Sequence, residues 1–104
     1  MTILTSENFF QEAERSERPV LIDFYATWCG PCKALAPTLE SLAEQYGTRV
    51  KFCKLDVDAE PQLAQRFGIL SVPTLVLLKD GRVAQQISGV RTAAELTGTF
   101  ALEQ

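Results

Sequence analysis

The spacing of apolar residues changes in blocks along the chain. Val20 to Ala26 (VLIDFYA) is almost continuously aliphatic, β-branched or aromatic, the pattern of a strand covered on both faces near the middle of a parallel sheet. Asp23 alone breaks it. From Cys32 to Tyr46 the period lengthens: Leu35, Leu39, Leu42 and Tyr46 recur at steps of four, three and four, predicting an amphipathic helix with Gly47 as its stop. Pro37 inside this helix should remove one hydrogen bond and introduce a kink. Upstream, Ile3 and Leu4 read as a short extended start. Thr5 and Ser6 offer hydroxyl caps for a helix to about Arg15, with Phe9, Phe10 and Ala13 apolar, and Pro19 closes that segment.

The second half repeats the alternation. A strand is expected at Val50 to Val57, then a helix from about Glu60 to Phe67, with Pro61 suited to its first turn and Gly68 to its end. Pro73 to Leu78 and Val83 to Ser88 flank Lys79-Asp80-Gly81-Arg82, a hairpin signal because Asp-Gly tolerates the positive φ angles of tight turns. Thr92 and Glu95 form a capping box opening a last helix with Leu96 and Phe100 on one face. Gly98 should weaken that helix by about 1 kcal/mol relative to alanine. The order β-α-β-α-β-α-β-β-α implies an α/β protein with a mixed central sheet and helices on both faces.

Composition narrows the function. At 104 residues, 46% hydrophobic and 22% charged, the chain fits one domain spanning 1–104. A net charge of -3 with scattered Lys and Arg argues against nucleic acid, whose phosphates demand a basic surface. The N-terminus lacks a signal-peptide pattern. The longest aliphatic run, Leu75 to Leu78, is far below the roughly 20 residues that span a bilayer. These features lead us to expect a cytoplasmic protein with no membrane partner, where a Cys-x-x-Cys pair is catalytic or metal-binding more often than structural.

That pair is Cys29 and Cys32, in the stretch Trp28-Cys29-Gly30-Pro31-Cys32. Zinc sites need four ligands, and three cysteines with no histidine leave such a site short. Cys-His nucleophile chemistry is missing for the same reason. Cys29 falls where strand hands over to helix, near unpaired backbone N–H groups and the positive end of the helix dipole, which lower a thiol's pKa. Cys32 lies about one helical turn on, within reach of a disulfide. This placement casts Cys29 as an exposed attacking thiolate and Cys32 as the resolving thiol. Pro31 costs little in the first turn. Cys53, in a buried strand, reads as a small apolar residue.

WCGPCK (Trp28 to Lys33) resembles the active site of the thioredoxin family. FYATWCGPCK, Pro37, KLDVD (Lys54 to Asp58), FGILSVPT (Phe67 to Thr74), Asp80-Gly81 and Gly89 follow in that family's order and spacing over nearly the whole chain. Tyr25 stands where many members have Trp, and Leu70 occupies a variable site. The resemblance implies the thioredoxin fold and protein disulfide reduction through Cys29 and Cys32. It further implies a monomer, re-reduced by a thioredoxin reductase and acting on disulfide-containing proteins. It also implies that Asp23 assists proton transfer at Cys32, with Lys54 close to it. On physical grounds a carboxylate in an apolar strand should have a raised pKa. Pro73 is implied to be a cis-proline facing the cysteines. Trp28, Gly30, Pro31, Val72 and Gly89 are implied to form an apolar rim for the partner's disulfide segment, with Val72 and Pro73 leaving backbone free to pair with it.

No Gly-x-Gly-x-x-Gly follows a strand, so no bound cofactor is expected beyond the Cys29–Cys32 disulfide itself. Two rival readings remain at this level. An oxidase or isomerase on the same fold would differ in redox poise, thioredoxin lying near about -270 mV and disulfide isomerase near about -180 mV. A non-catalytic binding subunit would use the same surface without the sulfur chemistry.

Overall fold

In a computed structural model describing residues 1–104, the chain runs from strand β1 (Thr2–Ile3) through a short π-helix (Phe10–Glu14) to β2 (Val20–Tyr25) and α1 (Gly30–Tyr46). It continues through β3 (Lys51–Asp56), α2 (Pro61–Arg66), β4 (Thr74–Lys79), β5 (Arg82–Ser88) and α3 (Ala93–Thr99). The five strands form one mixed sheet in the order β1-β3-β2-β4-β5. β3 lies parallel to β1 and β2, whereas β4 is antiparallel to β2 and to β5.

β2 is the strand that the apolar run predicts, enclosed from both sides. Its alternate residues go to opposite faces. Leu21 packs with Leu35, Leu39 and Leu42 of α1 and with Leu96, Phe100 and Leu102 near the C-terminus. Val20, Ile22 and Phe24 pack on the other face with Leu4, Phe9 and Ala13, and Leu63 and Phe67 close over them. Helices therefore cover both faces, as the alternation of elements implies. Each leucine buried in these layers stabilises the fold by about 1.5–3 kcal/mol relative to exposure.

The element ends are set by local chemistry. Thr92 Oγ1 accepts the Glu95 N–H while the Glu95 carboxylate accepts the Thr92 N–H, completing the predicted capping box. After α2, the Gly68 N–H reaches Gln65 and the Ile69 N–H reaches Ala64, a Schellman closure made possible by Gly68 at φ 65°. Asp80 and Gly81 both take positive φ, 53° and 76°, giving the tight turn that joins β4 to β5. α1 continues through Pro37 to Tyr46.

Three expectations are corrected. The first helix is not an α-helix to Arg15 but a π-helix of five residues, closed by Arg15 N–H donating to the Phe10 carbonyl. Thr5 and Asn8 cap one another's backbone N–H groups before it, so the chain spends its first turn on a local side-chain exchange. α1 begins at Gly30 rather than Cys32, because Cys29 itself serves as its N-cap. Gly47 ends α1 without left-handed geometry, at φ -62°. A Cβ there would lie 2.5 Å from the Ala43 carbonyl oxygen, so glycine is required for close approach rather than for φ.

The Asp80-Gly81 turn carries a direct test. Gly81 combines φ 76° with a position where a Cβ would stand 3.1 Å from the Glu14 carbonyl oxygen. Gly81→Ala is expected to destabilise the protein by about 1–2 kcal/mol, read as a lower denaturation midpoint with unchanged m-value.

Candidate active site

Cys29 and Cys32 are joined by a disulfide, with Cα atoms 5.3 Å apart. β2 ends at Tyr25 and α1 starts at Gly30, so the pair sits at the strand-to-helix junction. The Cys29 sulfur accepts the Cys32 N–H at 3.2 Å and thereby caps the helix. Pro31, in the first turn, has no N–H that would need a partner.

The expectation of an exposed Cys29 is not met: both cysteines are only 4% exposed. They pack on Ala26, with Tyr25, Val57 and Val72 closing over them. What distinguishes the sulfurs is the side they face. Cys29 lines a groove of about 460 Å³ with Trp28, Gly30, Pro31, Ile69, Leu70 and Val72 among its walls. Cys32 lines a separate pocket of about 240 Å³ with Asp23, Tyr25, Ala36 and Lys54. A larger groove of about 510 Å³ lies between the π-helix and α2 and contains no cysteine.

Asp23 belongs to the α1-facing side of β2, as Leu21 does, by the alternation of the strand. It is 5% exposed, and its Oδ1 has no hydrogen-bond partner. Burial raises its pKa to about 6, with the Lys54 charge pulling the other way. Asp23 and Lys54 are register partners on neighbouring strands, but they form no ion pair. The salt bridges are Lys51–Glu12 and Arg66–Glu14, and the Lys54 ammonium instead lies 5.8 Å from the centre of the Tyr25 ring. Asp23 is therefore a buried carboxylate without a contact partner, opening on the pocket that holds Cys32.

On the Cys29 side, Trp28 is 69% exposed, and its indole N–H donates to Asp58 Oδ2 at 2.7 Å. Asp58 is a member of the site that the sequence reading did not single out. The KLDVD stretch contains it, but only the fold brings residue 58 against residue 28. The Val72–Pro73 bond is cis, as the resemblance implies. The Val72 carbonyl oxygen lies 3.8 Å from the Cys29 sulfur, and neither its N–H nor its C=O enters a backbone hydrogen bond. Pro73 is buried behind Val72, and its carbonyl accepts the Gly89 N–H at 2.9 Å. Gly89, at φ 92°, is half-buried and is not among the residues lining the groove of Cys29.

Cys53 lies apart, fully buried beside Ile22 and Leu55, and burial pushes its thiol up to about 11. Both burial and the raised pKa disfavour its thiolate at neutral pH. No cluster of His, Cys, Asp and Glu is arranged to hold a metal ion. No helix is long and apolar enough to cross a membrane.

Comparison with known proteins agrees with this geometry. The family model "Thioredoxin" matches residues 1–101. A thioredoxin of Alicyclobacillus acidocaldarius is 45% identical over 98 residues, covering 94% of this chain and 92% of the relative. A thioredoxin of Mycobacterium tuberculosis is 45% identical over 93 residues, 89% of this chain and 80% of the relative. A bifunctional thioredoxin reductase/thioredoxin of Mycobacterium leprae is 42% identical over 93 residues, 89% of this chain but 20% of that longer protein. With a redox disulfide at the head of α1 and this likeness along nearly its full length, the chain belongs to the thioredoxin family, protein disulfide oxidoreductases, and exchanges dithiol for disulfide through Cys29 and Cys32.

Proposed function

We propose that the two sulfurs divide the reaction as follows. The Cys29 thiolate attacks a disulfide in a partner protein, forming a Cys29–substrate mixed disulfide and releasing the substrate's other sulfur as a thiolate. Asp23 takes the proton from the Cys32 thiol, and the resulting thiolate attacks Cys29, forming the Cys29–Cys32 bond and releasing the second substrate thiol. Two electrons pass from the dithiol to the substrate. The observation that carries this reading is the separation of environments. Cys29 lines the open apolar groove, whereas Cys32 lines the pocket of the unpaired Asp23 carboxylate.

The surrounding residues support the assignment. The free Val72 N–H and C=O can take an extended substrate segment by strand-like pairing. Trp28, Gly30 and Pro31 supply apolar surface beside Cys29. The Gly89 N–H fastens the carbonyl of Pro73, the residue after Val72, and Lys54 moderates the rise of the Asp23 pKa. We assign regeneration to a separate thioredoxin reductase, a partner class suggested by the relative that carries both activities in one chain. The reading places the protein in the cytoplasm, where a disulfide reductant is kept supplied with electrons, as a monomer of one domain with its groove open.

Two experiments test the division of roles. Cys32→Ser should accumulate mixed disulfides with partner proteins that a thiol reductant releases, and Cys29→Ser should accumulate none. Adducts that form equally in both variants would reverse or abolish the assignment.

Asp23 gives the pH dependence. It must be ionised to accept the Cys32 proton, so the resolving step should slow as pH falls through about 6, and Asp23→Asn should remove that inflection and slow the step at neutral pH. Stability runs the opposite way. The folded pKa is raised from 3.8 to about 6, so the folded state binds this proton more tightly than the unfolded chain. Its contribution is fully present below pH 3.8 and is lost as pH rises through about 6. The shift corresponds to about 3 kcal/mol. Asp23→Asn should therefore stabilise the disulfide form above pH 6 by up to about 3 kcal/mol and converge with wild type near pH 4, as read by denaturant midpoints across pH. A gain that is equal at every pH would show that the carboxylate's burial is not its source.

A further inference from the structure

Leu70 is 99% exposed, the extreme among the large apolar side chains of the molecule. It contributes nothing to either core layer, yet the chain on each side of it is tied down. The Schellman closure at Gly68 and Ile69 fixes the chain before it, and the Thr74 hydroxyl donates to the Ser71 carbonyl at 2.7 Å just after it. Leu70 lines the same groove as Cys29. Trp28 lines that groove too, its ring anchored by the hydrogen bond to Asp58. Two exposed apolar side chains, one of them an anchored indole, thus stand beside the attacking sulfur. An exposed apolar patch of this kind marks a surface that is covered in use.

Resting on the reading of Cys29 as the attacking sulfur and of Val72 as the backbone rail, we infer that Leu70 selects substrates with an apolar side chain two positions from the attacked cysteine. Leu70 precedes Val72 by two residues. An extended segment seated on Val72 with its cysteine at Cys29 carries its next side chain on the same face two positions away, roughly 7 Å on, within the groove whose wall includes Leu70. An apolar side chain there removes both itself and Leu70 from water. A charged one must be desolvated against the leucine with no polar partner from it.

The probe is a set of single-cysteine peptides, each oxidised to its symmetric disulfide so that both sulfurs are equivalent. Leucine, serine or glutamate is placed two positions before or two positions after the cysteine. One turnover consumes one peptide disulfide and yields two peptide thiols and the Cys29–Cys32 disulfide. Wild type is expected to favour leucine over serine about tenfold in kcat/KM at one of the two positions, mainly through KM, with glutamate below serine. Leu70→Ser should remove the preference, and Leu70→Met, which keeps the apolar volume, should retain it. Absence of a preference at both positions, or a preference unchanged in Leu70→Ser, overturns the inference while the Cys29 reading stands. A wild-type protein that reduces none of the peptides removes the Cys29 reading and this inference together.

Discussion

Strand β2 has a hydrogen-bonded neighbour on each edge and a helical layer over each face, and the position of everything that reacts is inherited from that enclosure. A strand so confined cannot shift register without moving every apolar side chain to the wrong face. Its C-terminal end is therefore a fixed point, from which the chain leads within a few residues to Cys29 and α1. The same confinement places Asp23 where water cannot fully solvate it. One piece of structure thus aims one sulfur at the surface groove and sets a buried carboxylate in the pocket of the other.

The parts of this arrangement that the sequence makes legible are those written in local chemistry. The Thr92–Glu95 capping box, the Asp80-Gly81 turn, and the Leu35, Leu39, Leu42 stripe each consist of neighbours in the chain, and each forms as read. The cis geometry at Pro73 is not accessible from local physics, which favours trans for any X–Pro bond; it came from resemblance alone. The π-helix at Phe10–Glu14 escaped because its apolar positions do not distinguish a wider helical turn from an α-helical one. The burial of Cys29 is not legible locally, because a strand-to-helix junction says nothing of Val57 and Val72, which arrive from distant segments to close over the sulfurs. Asp58 was missed for the same reason, since its value to the site is a hydrogen bond across 30 positions of sequence.

The site also separates two requirements that conflict in one cavity. Binding a partner needs open, apolar, well-anchored surface, whereas moving a proton needs a carboxylate held short of solvent and of hydrogen bonds. The groove of Trp28, Leu70 and Val72 has the character of the first, and the pocket of Asp23 and Lys54, on the proposed mechanism, that of the second. The disulfide is the wall between them.

The bond from the Cys32 N–H to the Cys29 sulfur makes that wall part of the secondary structure as well. The atom that closes α1 at its head is the one that, in the proposed mechanism, joins and leaves the substrate. As a thiolate, it would meet the N–H groups and positive pole of the helix with a full negative charge; as a disulfide, with only a weak acceptor. The two redox states of the protein are thus also two strengths of helix termination, and the electrons the protein carries are stored partly as a better-ended helix.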